Sequence, residues 1–184
     1  MFICEDKNRI IDEQEMFFPL SCFYHLTGIK AYENNKELNS YRFYDLLKKG
    51  TINASNLIKK DTTTELKLQV LPQLMKIDKN ANMIGNFYNS NIYLQTEKVA
   101  GNINCCMGFV KNKETNLYIP NTALKRDIRD ITKDMKKVIA ILKKDFNEKQ
   151  YKNITYLKKG YNIDEILNDE KIRQKVDYSI FDKK

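Results

Sequence analysis

Between residues 123 and 146 the chain reads ALKRDIRDITKDMKKVIAILKKDF, and the spacing of its apolar residues restricts the fold more than any other stretch. Leu124, Ile128, Ile131, Met135, Val138 and Leu142 recur in alternating steps of four and three. At about 100 degrees per residue that spacing keeps them near one line of a helix. The pattern predicts a long amphipathic helix with this stripe in the core and Asn121 and Thr122 capping its start after Pro120. Measured from the stripe, Arg126, Arg129, Lys133 and Lys136 fall on the opposite side, with Asp127, Asp130 and Asp134 along one edge. Such a basic row is usually a solvated face, but here it begins where free first-turn amides, the helix dipole, Lys125, Arg126 and Arg129 would converge. A phosphate fits that combination. Tyr118, just upstream, offers an aromatic face to a base, although a strand tyrosine is as easily structural.

The remaining breakers divide the chain. The run LSCFYHL after Pro19 reads as a helix stopped by Gly28, and YRFYDLLKK as one capped by Ser40 and stopped by Gly50. ASNLIKK suggests a further short helix, and TTTELKLQVLPQLMKI a helix kinked near Pro72. From about residue 85 the texture changes: NIYLQT, NINCCMGFV and NLYI read as neighbouring antiparallel strands, the last two joined by the turn KNKET and the third ended by Pro120. ITYL is a final strand and IDEILNDEKIRQKV a terminal helix. The expected class is α+β, with N-terminal helices packed on a small antiparallel sheet and a long amphipathic helix before the last strand. Residues 1–16 read as an arm or helix, 17–160 as one domain and 161–184 as a helical tail.

Composition narrows the function classes. A chain of 184 residues, 42% hydrophobic and 11% aromatic, has the material for one core. No apolar run approaches the roughly 20 residues of a membrane span, and the opening MFICEDKNRI lacks the order of a secretory signal, so a cytoplasmic protein is expected. Four cysteines without C-x-x-C spacing point to reduced thiols rather than to zinc or disulfides, and the adjacent Cys105 and Cys106 would face opposite sides of a strand. No metal or cofactor is expected. The net charge of +8 suggests an anionic partner, although Asn-, Ile- and Lys-rich chains carry such charge without selection for binding. The distribution is more informative: residues 125–159 hold twelve basic against five acidic residues, and residues 1–20 five acidic against two basic.

His25 is the only histidine, and it sits in the nearly uncharged run FFPLSCFYHLTGI. In the last turn of its helix the carbonyl-rich end favours a cation. A packed helix-end histidine would look the same, as would one whose free nitrogen faces a cleft.

The order of FYHLTGI, FYDLLKKG followed by TI, the LKL helix and YIPNTALKRD resembles a phage-associated family of the barnase/EndoU/colicin/RelE-like nuclease superfamily, over residues 17–157. The resemblance implies a compact, metal-independent ribonuclease of toxins and mobile-element conflict systems, with RNA as substrate and an antitoxin or immunity protein as a partner. It implies catalytic roles for His25, Lys67 and Thr122, with Arg126 behind Thr122. Attack by a 2'-hydroxyl on the adjacent phosphate needs a base, an acid and cations for the charged intermediate state. One histidine cannot be acid and base at once, so Lys67, Tyr118, Tyr88, Glu65 or another side chain must complement it. Tyr118, Asn121, Lys125, Arg126, Arg129 and Lys133 are the candidate RNA contacts. A non-catalytic nucleic-acid-binding module and a protein-interaction element of a mobile element are the alternatives.

Overall fold

The computed structural model describes residues 1–88 and 94–180. Among these, eight strands form one antiparallel sheet: β1 (Phe2–Glu5), β2 (Ile11–Gln14), β6 (Met83–Phe87), β7 (Lys98–Gly101), β8 (Cys106–Lys111), β9 (Tyr118–Leu124), β10 (Thr132–Lys143) and β11 (Asn153–Leu157). A separate three-stranded sheet holds β3 (Ile29–Glu33), β4 (Lys36–Glu37) and β5 (Leu57–Lys59). The helices are α1 (Leu20–Thr27), α2 (Ser40–Lys49), α3 (Thr64–Leu74), α4 (Ile77–Asn80), α5 (Ile163–Ile166) and α6 (Glu170–Arg173).

The main sheet runs β2-β1-β10-β6-β7-β8-β9, with β11 also pairing β10. Its two ends meet, because Met16, just beyond β2, bridges in parallel to Tyr118 at the start of β9. The Tyr118 amide donates to the Glu15 carbonyl at 3.1 Å and the Phe17 amide to the Tyr118 carbonyl at 2.8 Å. Joining the ends satisfies backbone groups that would otherwise line two open edges.

The long amphipathic helix expected over 123–146 is absent. That stretch contains the end of β9, a 3-10 turn at Ile128–Asp130 and the twelve-residue β10. The apolar spacing is real, but its members go to different elements, and Met135 is exposed. What overrides the helical period is the run Val138–Leu142, buried at every position and rich in β-branched residues. A strand buried on both faces can place such a run, whereas a surface helix would expose part of it. Val138 and Ile141 join Phe2, Cys4, Leu26, Val70 and Leu74 beneath the N-terminal helices. Ile139, Ala140 and Leu142 join Ile3, Ile166, Leu167 and Ile172 on the other face, beneath the C-terminal helices. β10 is therefore the central strand: β1 pairs one edge, while β6 and then β11 pair the other.

Other expectations also need correction. The opening residues form β1 and β2 of the main sheet rather than an arm or helix, with Phe2, Ile3 and Cys4 in the core. The sheet is large rather than small. ASNLIKK is a 3-10 turn followed by β5, and the terminal helix is two four-residue helices. Pro120 does not end β9 but lies within it, where three residues of β9 face two of β8, making Asn121 the extra residue of a bulge. Part of the expected strand NIYLQT lies outside the described residues. Helices α1, α2 and α3, the hairpin over KNKET and β11 match the sequence reading. Cys105 and Cys106 do belong to different cores.

Candidate functional site

The segment LSCFYHLT forms α1 because Pro19 precedes it in extended conformation and Gly28, at φ +66, ends it in the left-handed region. Leu26 enters the core and His25, one residue earlier, is left exposed. The Gly28 amide donates to the His25 carbonyl at 3.3 Å. The Gly28 carbonyl accepts from the buried Thr64 hydroxyl at 2.6 Å and from the Lys60 amide at 3.0 Å. Thr64 opens α3, and one turn later Lys67 is half-buried with its stem across the turn. A Cβ at Gly28 would stand 3.0 Å from Lys67 Cδ. The end of α1 and the start of α3 are thus locked together, and His25 and Lys67 belong to one corner. Both helices pack against β9.

The helix start expected at Asn121 and Thr122 is not there, and the anion site argued from its dipole and free amides goes with it. Thr122 is buried inside β9, its methyl 2.7 Å from where a Cβ on Gly108 would stand, with Thr96 on the same glycine. Asn121, on the bulge, ties β9 to the segment leading into β7: it accepts from the Thr96 hydroxyl at 3.1 Å and donates to the Gln95 carbonyl. The basic residues do not share one helical face either. Lys125 donates to the Gln69 side chain of α3 at 2.7 Å, and Arg126 follows β9. Arg129 forks onto Asp127. Lys133 lies over the Tyr88 ring at 4.9 Å from its centroid. Glu65 is exposed and paired with Lys59. Tyr118 is half-buried, and burial raises its phenol above the usual range.

A polar cluster that the sequence reading did not single out lies on the helix-facing side of the sheet. Register places its members. Lys98 is opposite Phe109 and Asn86, Lys136 opposite Ile84, and Asp12 opposite Cys4, so all share the face whose apolar part holds Phe109, Ile84 and Cys4. Lys136 pairs with Asp12 at 2.8 Å, and Lys98 donates to Asn86 Oδ1 at 2.6 Å. Asn86 in turn donates to Asp134 at 3.0 Å. Burial pushes the Lys98 ammonium below its ordinary range, the neighbouring Lys136 pushes it further, and Asp12 and Asp134 only partly counter this. Burial opposes ionisation of Asp12, but the Lys136 contact outweighs it and holds the carboxyl below its usual value. A lysine in a strand with apolar neighbours, KVAG, was the available signal. Short strands flanked by a dense Asn-rich stretch conceal their face alternation.

A cavity lies apart from the site residues singled out in the sequence. It measures about 690 Å³ and is lined mainly by apolar side chains, among them Met16, Phe17, Leu74, Ile141 and Phe146, and by none of the candidate site residues. Among the described residues no group of three or more His, Cys, Asp or Glu side chains is placed to hold a metal ion. No helix among them is long and apolar enough to cross a membrane.

The model of the family described as PBECR4, phage-Barnase-EndoU-ColicinE5/D-RelE like nuclease4, matches residues 1–160. No curated protein and no solved structure matches.

Proposed function

Since the chain belongs to this phage-associated nuclease family, we propose that it is an endoribonuclease that cleaves RNA by attack of a 2'-hydroxyl on the adjacent phosphate, without a metal ion. The observation that carries the reading is the corner at the end of α1, where His25 in the last turn is exposed and the stem of half-buried Lys67 lies across Gly28, three residues further on. An imidazole can take or give a proton near neutral pH, and an ammonium close by can stabilise charge developing on the phosphate. In this reading His25 takes the 2'-hydroxyl proton as that oxygen attacks phosphorus, water protonates the departing 5'-oxygen, and Lys67 supplies the cation. The turn, held by the hydroxyl of Thr64, ties together the backbone segments that carry the two.

Thr122 has a lesser part in this proposal than the family resemblance implies. It shapes the β9 wall, and Asn121 on the bulge presents an amide that holds neighbouring backbone. The same reading makes the protein a toxin or mobile-element conflict nuclease acting in the cytoplasm and restrained by an antitoxin or immunity protein. The direct test is to incubate the purified chain with total RNA in excess chelator and analyse the new ends. Ends bearing 2',3'-cyclic phosphate support the mechanism. Cleavage that appears only on adding a divalent cation, or that leaves 5'-phosphate and 3'-hydroxyl ends, refutes it.

A further inference from the structure

Lys98 presents an unusual balance. Its ammonium is half-buried on the helix-facing side of the sheet, and among the described residues it has no carboxylate within ion-pair distance; its hydrogen-bond partner is the neutral amide of Asn86. Asp12 is engaged by Lys136 and Asp134 by Asn86, so the nearest carboxylates already have partners. A partly desolvated cation near a second cation is unfavourable, and an anion arriving there would relieve Lys98 while Lys136, already paired with Asp12, adds positive charge to the same face. Asp12, Asn86, Lys98 and Lys136 are all half-buried rather than sealed, which leaves the group open to solvent. The surroundings add an aromatic surface. Phe109, opposite Lys98 in the ladder, packs at near right angles to Phe18 with ring centroids 5.9 Å apart, and Phe18, at the rim of the apolar cavity, remains 43% exposed.

We infer that this face is a phosphate-binding subsite for an RNA strand, in which Lys98 and Lys136 hold a backbone phosphate and Phe18 offers its ring to a neighbouring base. The subsite rests on the nuclease reading above but is distinct from the His25 corner. It grips the chain away from the scissile bond, and backbone contacts plus stacking give it little preference for sequence. Because Lys98 Nζ already donates to an amide oxygen, it is held in place before the strand arrives, which lowers the entropic cost of the contact.

The test measures binding without cleavage. A fluorescent single-stranded oligonucleotide in which every nucleotide is 2'-deoxy is titrated with wild-type protein, Lys98→Met and Phe18→Ala in chelator over a series of salt concentrations. Methionine keeps the apolar stem of the lysine and removes its charge, and circular dichroism with thermal melting checks that each variant is folded. The subsite predicts about tenfold weaker binding for Lys98→Met and a salt slope smaller by about 0.7, with partial recovery in Lys98→Arg. Phe18→Ala should weaken binding about tenfold with the slope unchanged. A folded Lys98→Met that binds with wild-type affinity and slope overturns the phosphate contact, as does a wild-type protein that does not bind the strand. An unchanged Phe18→Ala overturns the stacking contact. A wild-type protein that leaves RNA intact, while Lys98→Met still loses its grip, refutes the nuclease mechanism and keeps the subsite.

Discussion

Lys67 lies across Gly28, its Cδ 3.0 Å from the point where a Cβ on that glycine would stand, so the backbone that ends the His25 helix and the proposed cationic partner of His25 are in contact. Gly28 also holds φ +66, a conformation disfavoured for side-chain-bearing residues. Gly28→Ala should cost about 1–2 kcal/mol from the backbone alone. The flexible lysine can swing aside, so activity should fall further than stability does. Urea unfolding and RNA cleavage on the same preparation measure the two effects.

The interior of the Thr122 region is packed more tightly. An added Cβ at Gly108 would meet the Thr122 and Thr96 methyls at 2.7 and 2.8 Å, and short β-branched side chains have little room to turn. Gly108→Ala should destabilise by about 1–3 kcal/mol through overpacking, and Thr122→Ser in the same chain should restore part of the loss. A double-mutant cycle by denaturant unfolding reads the coupling.

Replacing the predicted helix by β10 has its own consequence. Ile139 and Ile141 are both buried, in different cores on opposite faces of the strand. Ile139→Ala and Ile141→Ala should each cost about 2–5 kcal/mol. In the helical reading Ile141 lies roughly 100 degrees from the middle of the apolar stripe and would cost little, so its urea midpoint separates the alternatives.

Acid stability should depend on Glu15. Burial opposes its charge, but hydrogen bonds from Lys175 at 2.9 Å and Tyr151 at 2.9 Å outweigh burial and lower its pKa below the ordinary value of 4.5. A carboxylate depressed by folding contributes stability that is fully present above that value and is lost as pH falls through the folded pKa. Glu15→Gln should therefore cost about 1 kcal/mol near neutrality, allowing for the solvent that reaches the pair, and flatten the stability curve below pH 4.5. Thermal melts from pH 7 to pH 3 check both.

The thiols give a test of burial. Cys4 and Cys106 are buried and their thiols are pushed up to about 12, while Cys22 is only half-buried. At pH 8 a disulfide reagent should modify Cys22 first and reach Cys4 and Cys106 only as fast as the chain opens. Peptide mapping of the labelled protein identifies the order.

Several elements were legible from local signals, and their failures share a cause. Gly28 and Gly50 ended their helices because the left-handed cap is a local property of one residue. The α2 cap lay one residue earlier than expected, at Asn39, whose side chain accepts from the Arg42 amide. Residues 123–146 misled because a four-and-three spacing satisfies a helix in isolation, whereas the pairing of β10 with β1, β6 and β11 depends on distant chain. β1 was missed for the same reason: FICE is too short to announce a strand until Val138–Ile141 lies beside it. At the site, His25 and Lys67 could be proposed from motifs. Their shared corner required Thr64 and Gly28 to meet across 36 residues, and the Asp12–Lys136 pair spans 124.

The central claim concerns the imidazole at the end of α1, which is exposed and packs no core, so its removal should leave the fold intact. The decisive measurement compares initial rates of RNA cleavage in chelator for wild-type protein and His25→Ala at matched folded concentration, across pH 5 to 9. Loss of a proton-transfer group predicts a rate lower by about 100-fold or more and loss of the limb of the pH profile that the imidazole supplies. A folded His25→Ala variant that cuts RNA at the wild-type rate with the same profile would contradict the account.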